Sequence, residues 1–315
     1  MNLNQLSTQF VNSIPFAGER FGNTDYKTAC ADYYGVPNGM FKAHVGMMCR
    51  GKPLDPYGNV LTTSPMQGGG WTTEHDTNKW NLADWLSHCH VDYTCEVFGL
   101  FAACIKQIDQ LNGKSARTRQ ALVPDFQIAI NRSLLLEEVK TVHHGTTYFN
   151  ARTILTRCGG VEARARKVPG EYVKKAAKTD LQWNDHDRDV DGPGPVEQRL
   201  AEFGQTRALV FGPRGECSKD VLWLINYMAQ TGGERRWRDM RARSISEAVA
   251  CLKTRVRRSV GITAVLAAAR LKRERFGILL SGGKAAMKRR KQARGRARSD
   301  RDEYDFQFGF APHSG

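Results

Sequence analysis

The alternation of apolar and polar positions is clearest in the middle of the chain. Leu122-Val123-Pro124-Asp125-Phe126 begins one strand-like run, over 121–130, and Leu134-Leu135-Leu136-Glu137-Glu138-Val139-Lys140-Thr141-Val142 forms a second. Asn131-Arg132-Ser133 between them suits a tight hairpin connection. Upstream, Trp80, Leu82, Ala83, Trp85 and Leu86 recur at helical spacing, predicting a helix over 73–89 with Thr73 as its N-cap and Glu74 and Asp76 at its positive end. A strand is expected over 91–100 and a short helix over 101–111. A basic helix is expected over 161–181, interrupted at Pro169-Gly170 so that its main body starts near Glu171. Further on, the pattern predicts a helix over 196–203, a strand over 207–211 and a helix after Ser218 running to Gln230.

Outside this pattern the chain changes character. Residues 1–70 are rich in Gly, Pro, Asn and Tyr and read as a loop-rich lead-in. Residues 71–231 hold the α/β pattern, and 232–315 read as a basic helical extension and tail. No run of about 18 apolar residues occurs, so no membrane span is expected. Met1 to Pro15 lacks the basic start and apolar block of a secretory signal, and the eight cysteines form no CxxC pair. An intracellular or nuclear protein with free thiols is the expectation, not a secreted one. Cys30, His44 and Cys49 fit no standard zinc spacing.

Charge narrows the class of partner. With 47 Lys and Arg against 32 Asp and Glu, the formal net charge is +15. Such an excess favours anionic partners, and without a membrane anchor nucleic acid, DNA above all, is the expected one. From Lys284 to Arg301 there are nine basic residues and one acidic residue. Lys288, Arg289, Arg290 and Lys291 there, and Lys175 upstream, are the candidate phosphate contacts. The oligomeric state stays open, a homodimer included.

The candidate chemistry lies in the two central strands. Side chains at i and i+2 share a face, so Glu138 and Lys140 point one way and Glu137 the other. A hairpin brings Asp125 alongside Glu138. Two facing carboxylates repel and burial penalises both, whereas a hard divalent cation relieves both costs. Lys140 beside them can orient a water or stabilise charge developing on phosphorus. His143-His144 follows directly and reads as the exposed end of the strand. Gly212-Pro213-Arg214-Gly215 suits a strand-to-helix turn, and Gly282-Gly283-Lys284 lacks the remainder of a phosphate loop.

Pro124-Asp125 followed by Glu138-Val139-Lys140 resembles the signature of the PD-(D/E)xK, restriction-endonuclease-like nuclease superfamily. The expected element order over residues 70–215 is similar to that family's αβββαβ core with a mixed central sheet. Gly70-Trp71-Thr72-Thr73-Glu74-His75-Asp76, Glu96-Val97-Phe98-Gly99 and Leu209-Val210-Phe211-Gly212 further resemble endonuclease-type reading frames of protist, dinoflagellate-like mobile elements. The resemblance implies a Mg²⁺- or Mn²⁺-dependent endonuclease acting on DNA, with Asp125 and Glu138 on the metal and Lys140 catalytic. It also implies an acidic contribution from the first helix, Asp76 in preference to Glu74, with Glu96 on the first strand as a rival. A nuclease fold that has lost catalysis but still binds nucleic acid is the alternative.

Overall fold

The computed structural model of the protein describes residues 21–105, 122–130, 133–144, 159–187 and 192–282, together with Leu6 and Gln9. Its centre is a four-stranded mixed sheet of order β3-β4-β5-β6, made of β3 (Tyr93–Cys95), β4 (Phe126–Ile130), β5 (Ser133–Thr141) and β6 (Arg207–Phe211). The first three strands are antiparallel. β5 and β6 run parallel, with Glu138 opposite Ala208 and Lys140 opposite Val210. A small hairpin, β1 (Met48–Cys49) and β2 (Lys52–Pro53), lies apart from it.

The helices are α1 (Asn23–Tyr34), α2 (Asn59–Thr63), α3 (Gly70–His88), α4 (Gly159–Ala165), α5 (Val168–Asn184), α6 (Pro195–Glu202), α7 (Lys219–Arg236) and α8 (Ile245–Leu280). Alternation along the strands sends successive side chains to opposite faces of the sheet. On one face Phe126, Ile128, Val139, Leu209 and Phe211 pack with Leu82 and Leu86 of α3, Leu224 and Met228 of α7, and Val256 and Val260 of α8. On the other, Leu136, Ala208 and Val210 pack with Val161 of α4, Tyr172 and Ala176 of α5, and Leu200 of α6. The result is a three-layer α/β/α arrangement. Each large side chain buried in it, such as the fully buried Phe126, adds about 1.5–3 kcal/mol.

Several expectations change. The first core helix starts at Gly70 behind a left-handed Gly69, not at a Thr73 cap, and gains a turn. β3 is only three residues long, and Phe101 leads into a short 3-10 turn, Ala102–Cys104. Ser218 does stand at the N-cap of α7, but its hydroxyl bonds back to β6, accepting from Val210 N and donating to Ala208 O. The lead-in contains a helix, α1, packed through Ala29 on Val265 and Ala269 of α8. Residues 245–280, expected to form a basic extension, are instead the longest core helix. Seventeen of its residues are buried, including Lys272 and Arg275. Ser244 caps it by accepting from Glu247 N at 3.1 Å. Among the described residues, no helix is long and apolar enough to cross a membrane.

Candidate active site at the head of strand β4

Asp125 sits immediately before β4, its main-chain oxygen taken by Glu96 N at 2.9 Å. Its side chain extends the β4–β5 ladder by one step: Oδ2 accepts the Val139 N–H at 2.8 Å. Phe126 pairs with Glu137, and the Val139 N–H that Asp125 binds lies between Glu138 and Lys140 along β5. The i, i+2 rule holds on β5: Lys140 Nζ donates to Glu138 Oε1, and Tyr172 of α5 donates its hydroxyl to Glu138 Oε2. The Tyr172 hydroxyl is held protonated far above its usual range by burial and by the Glu138 carboxylate. Lys140 thus touches Glu138, and its charge also acts on Asp125.

Helix α3 adds residues that strand patterning does not reveal. His75 Nε2 lies 3.1 Å from Asp125 Oδ2, and Nδ1 lies 3.0 Å from Asp76 Oδ1. Lys79 reaches Asp76 at 3.3 Å and Glu96 at 2.6 Å. Burial opposes charge on His75, but the Asp125 and Asp76 carboxylates outweigh it and raise its pKa to about 9. Burial likewise opposes charge on Asp125. The His75 bond, the Val139 N–H and the nearby Lys140 ammonium overcome it, holding the carboxyl below its usual range. Glu96, Lys79, Asp76, His75 and Asp125 thus form one chain of alternating charge. Asp76 occupies the link behind His75 and touches Asp125 only through it. The sequence held a signal for this: Trp71, His75 and Lys79 are spaced i, i+4, i+8 on one helix stripe.

Glu74 takes a different place. It is buried, and burial pushes its pKa up to about 8 against the Thr141 hydrogen bond and the Arg275 charge. Its Oε2 lies 3.3 Å from His143 Nε2. His143 is not an exposed strand end: it is largely buried, and burial with the Arg275 and Lys272 charges drives its pKa down to about 4. Near neutral pH these two are mostly an uncharged pair beside the acid cluster. Lys175 stands with its Nζ 5.3 Å from the Tyr172 ring centroid, on the helix that covers Glu138. Lys288, Arg289, Arg290 and Lys291 lie outside the described residues.

The donor set suits a hard cation in kind. Mg²⁺ is commonly held by one or two carboxylates and keeps most of its waters, so Asp125, bonded to His75 and Val139 N–H, and Glu138, bonded to Lys140 and Tyr172, are the residues that would hold one. Among the described residues, no group of three His, Cys, Asp or Glu side chains is arranged to hold a metal. Cys49 and His44 are engaged elsewhere, Cys49 with Met66 and His44 edge-on to Phe276.

Compared with known protein families, curated proteins and solved structures, the chain gives no significant match.

Proposed function

We propose that the protein is a divalent-metal-dependent nuclease of the PD-(D/E)xK type that hydrolyses DNA phosphodiester bonds. The observation that carries this reading is that the Asp125 carboxylate takes the Val139 N–H, between Glu138 and Lys140 of β5, while Lys140 pairs with Glu138. The succession α3, β3, β4, β5, then α4, α5 and α6, then β6, in a mixed sheet, supports it, since it contains the αβββαβ order expected of such a core. The net charge of +15 supports an anionic polymer as substrate.

Asp125 and Glu138 would hold Mg²⁺ or Mn²⁺, which when bound supplies Lewis acidity and neutralises developing charge. The chain's own groups do the rest. The Val139 N–H and His75 fix the Asp125 carboxylate, and Tyr172 fixes that of Glu138, so both acids are oriented before substrate arrives. Lys140 places an ammonium where negative charge grows as water adds to phosphorus and one bridging P–O bond breaks. The products are a phosphate monoester end and a hydroxyl end.

The test is cleavage of DNA with Mg²⁺ or Mn²⁺ by the wild type, Asp125→Ala and Lys140→Ala. Loss of cleavage by at least about 100-fold in both variants, with DNA binding retained, is expected. Cleavage by both variants at the wild-type rate would sink the reading. Binding without cleavage in the wild type would favour a nuclease fold that only binds.

A further inference from the structure

Beside the acid cluster lies a cavity of about 400 Å³, lined by Trp71, Thr72, His75, Lys140, Thr141 and His143. Two of these residues, His75 and Lys140, are the cations that touch Asp125 and Glu138. Phosphodiester hydrolysis needs nothing from the two rings. Yet Trp71 and His143 lie with their planes within 20° and their centroids 6.5 Å apart. That separation is about twice the 3.4 Å step of stacked bases.

Both rings are held in place. Trp71 Nε1 donates to Thr62 O at 2.8 Å, and the Arg275 guanidinium sits 4.4 Å from the indole centroid. Arg275 is itself anchored, donating to Leu61 O and Ser64 O at 2.7 and 2.9 Å. His143 has the Glu74 carboxyl 3.3 Å from its Nε2 and is kept neutral by burial, so it offers a ring face and no competing cation. Trp71 nevertheless remains 39% exposed, a large aromatic surface at the rim of a cationic cavity. Aromatic surface beside phosphate-binding cations is how proteins hold single strands: the cations follow the backbone and the rings take bases.

A base inside a duplex has both faces covered by its neighbours and its edge paired. An unpaired base alone can lay its face against these rings. Resting on the nuclease reading above, we infer that the Trp71–His143 pair is a subsite for one unpaired nucleobase, adjoining the phosphate that Lys140 and His75 face. The preferred substrate is then a single strand or a frayed end, not an intact duplex.

The experiment uses the full chain, a fluorescently labelled single-stranded DNA of about 12 nucleotides, and EDTA so that nothing is cut. Anisotropy gives the affinity for this strand, for its blunt duplex, and for a series with one abasic position moved along it. The single strand should bind at least about tenfold more tightly than the duplex. One abasic position should cost about tenfold, the scale of a stacked base, and His143→Ala should erase that penalty. The abasic series is read on the wild type, so it does not depend on a variant folding. Duplex bound as tightly as single strand, a flat abasic series, or a penalty undiminished in His143→Ala would each overturn the inference. When Mn²⁺ is then supplied, absent cleavage with the abasic pattern intact sinks the nuclease reading and leaves the base subsite standing. Cleavage with a flat pattern does the opposite.

Discussion

His75 Nε2 and the Val139 backbone N–H converge on the same oxygen of Asp125, at 3.1 and 2.8 Å. One group comes from helix α3 and the other from strand β5, so the carboxylate is oriented by two elements that do not move independently of the core. His75 is in turn oriented by Asp76. A carboxylate that holds a metal depends on such supporting bonds, and removing one typically costs 10- to 100-fold in metal affinity or activity, on the order of 1.4–2.8 kcal/mol. His75→Ala is expected to weaken Mn²⁺ binding by about that factor. Calorimetric titration of Mn²⁺ into the variant and the wild type measures it. Equal Mn²⁺ affinity in the two proteins would show that His75 has no part in shaping the site.

Glu137, the residue on the opposite face from Glu138, offers a test of the strand register through pH. It is fully buried, and among the described residues neither of its carboxylate oxygens has a hydrogen-bond partner. Burial raises its pKa from 4.5 to about 8 in spite of the nearby Arg207 charge. The folded state therefore keeps a proton that the unfolded chain releases. Stability from this group is complete below about pH 4.5 and declines as pH rises towards 8, by up to about 1.4 kcal/mol per unit. Glu137→Gln keeps the neutral form at every pH. The variant should match the wild type near pH 4.5 and exceed it by a few kcal/mol above pH 8, on the order set by this linkage. Urea unfolding at the two pH values decides it, and parallel pH slopes for both proteins would place Glu137 in a solvated setting after all.

These two residues also mark what can be read without coordinates. The strand Arg207–Phe211, the hairpin of β4 and β5, and the shared face of Glu138 and Lys140 follow from period-two alternation, a local property of sequence. Helix α1 was hidden because its buried face is polar: it buries Asp25, Thr28 and Asp32 beside two alanines. The polar side of that packing is matched by charges on α8 more than 200 residues away, and no local pattern records such a match. The burial of α8 was concealed for the same reason, since basic residues mask an apolar stripe. A polar pair at a strand end ordinarily faces water. Here the Glu74 carboxyl of α3 lies 3.3 Å from the His143 ring, which is only 13% exposed.

The long-range match between α1 and α8 yields the last prediction. Lys272 Nζ pairs with Asp32 Oδ1 and donates to Tyr57 O at 3.0 Å, and the two charged residues are 1% and 7% exposed. Burial outweighs the Lys272 charge at Asp32 and pushes its carboxyl above the usual range, so the pair is held at a desolvation cost. Removing one partner strands the other. Lys272→Met should destabilise the protein by about 3–5 kcal/mol, whereas the double variant Asp32→Leu with Lys272→Met should recover most of that loss. Urea unfolding of the three proteins gives both numbers. Because Arg275 lies one turn beyond Lys272 and sits against Trp71, the single variant should also raise the protease sensitivity of the segment joining α2 to α3. A loss below about 1 kcal/mol in the single variant would mean that water reaches Asp32, and that the Asp32–Lys272 pair does not hold α1 to α8.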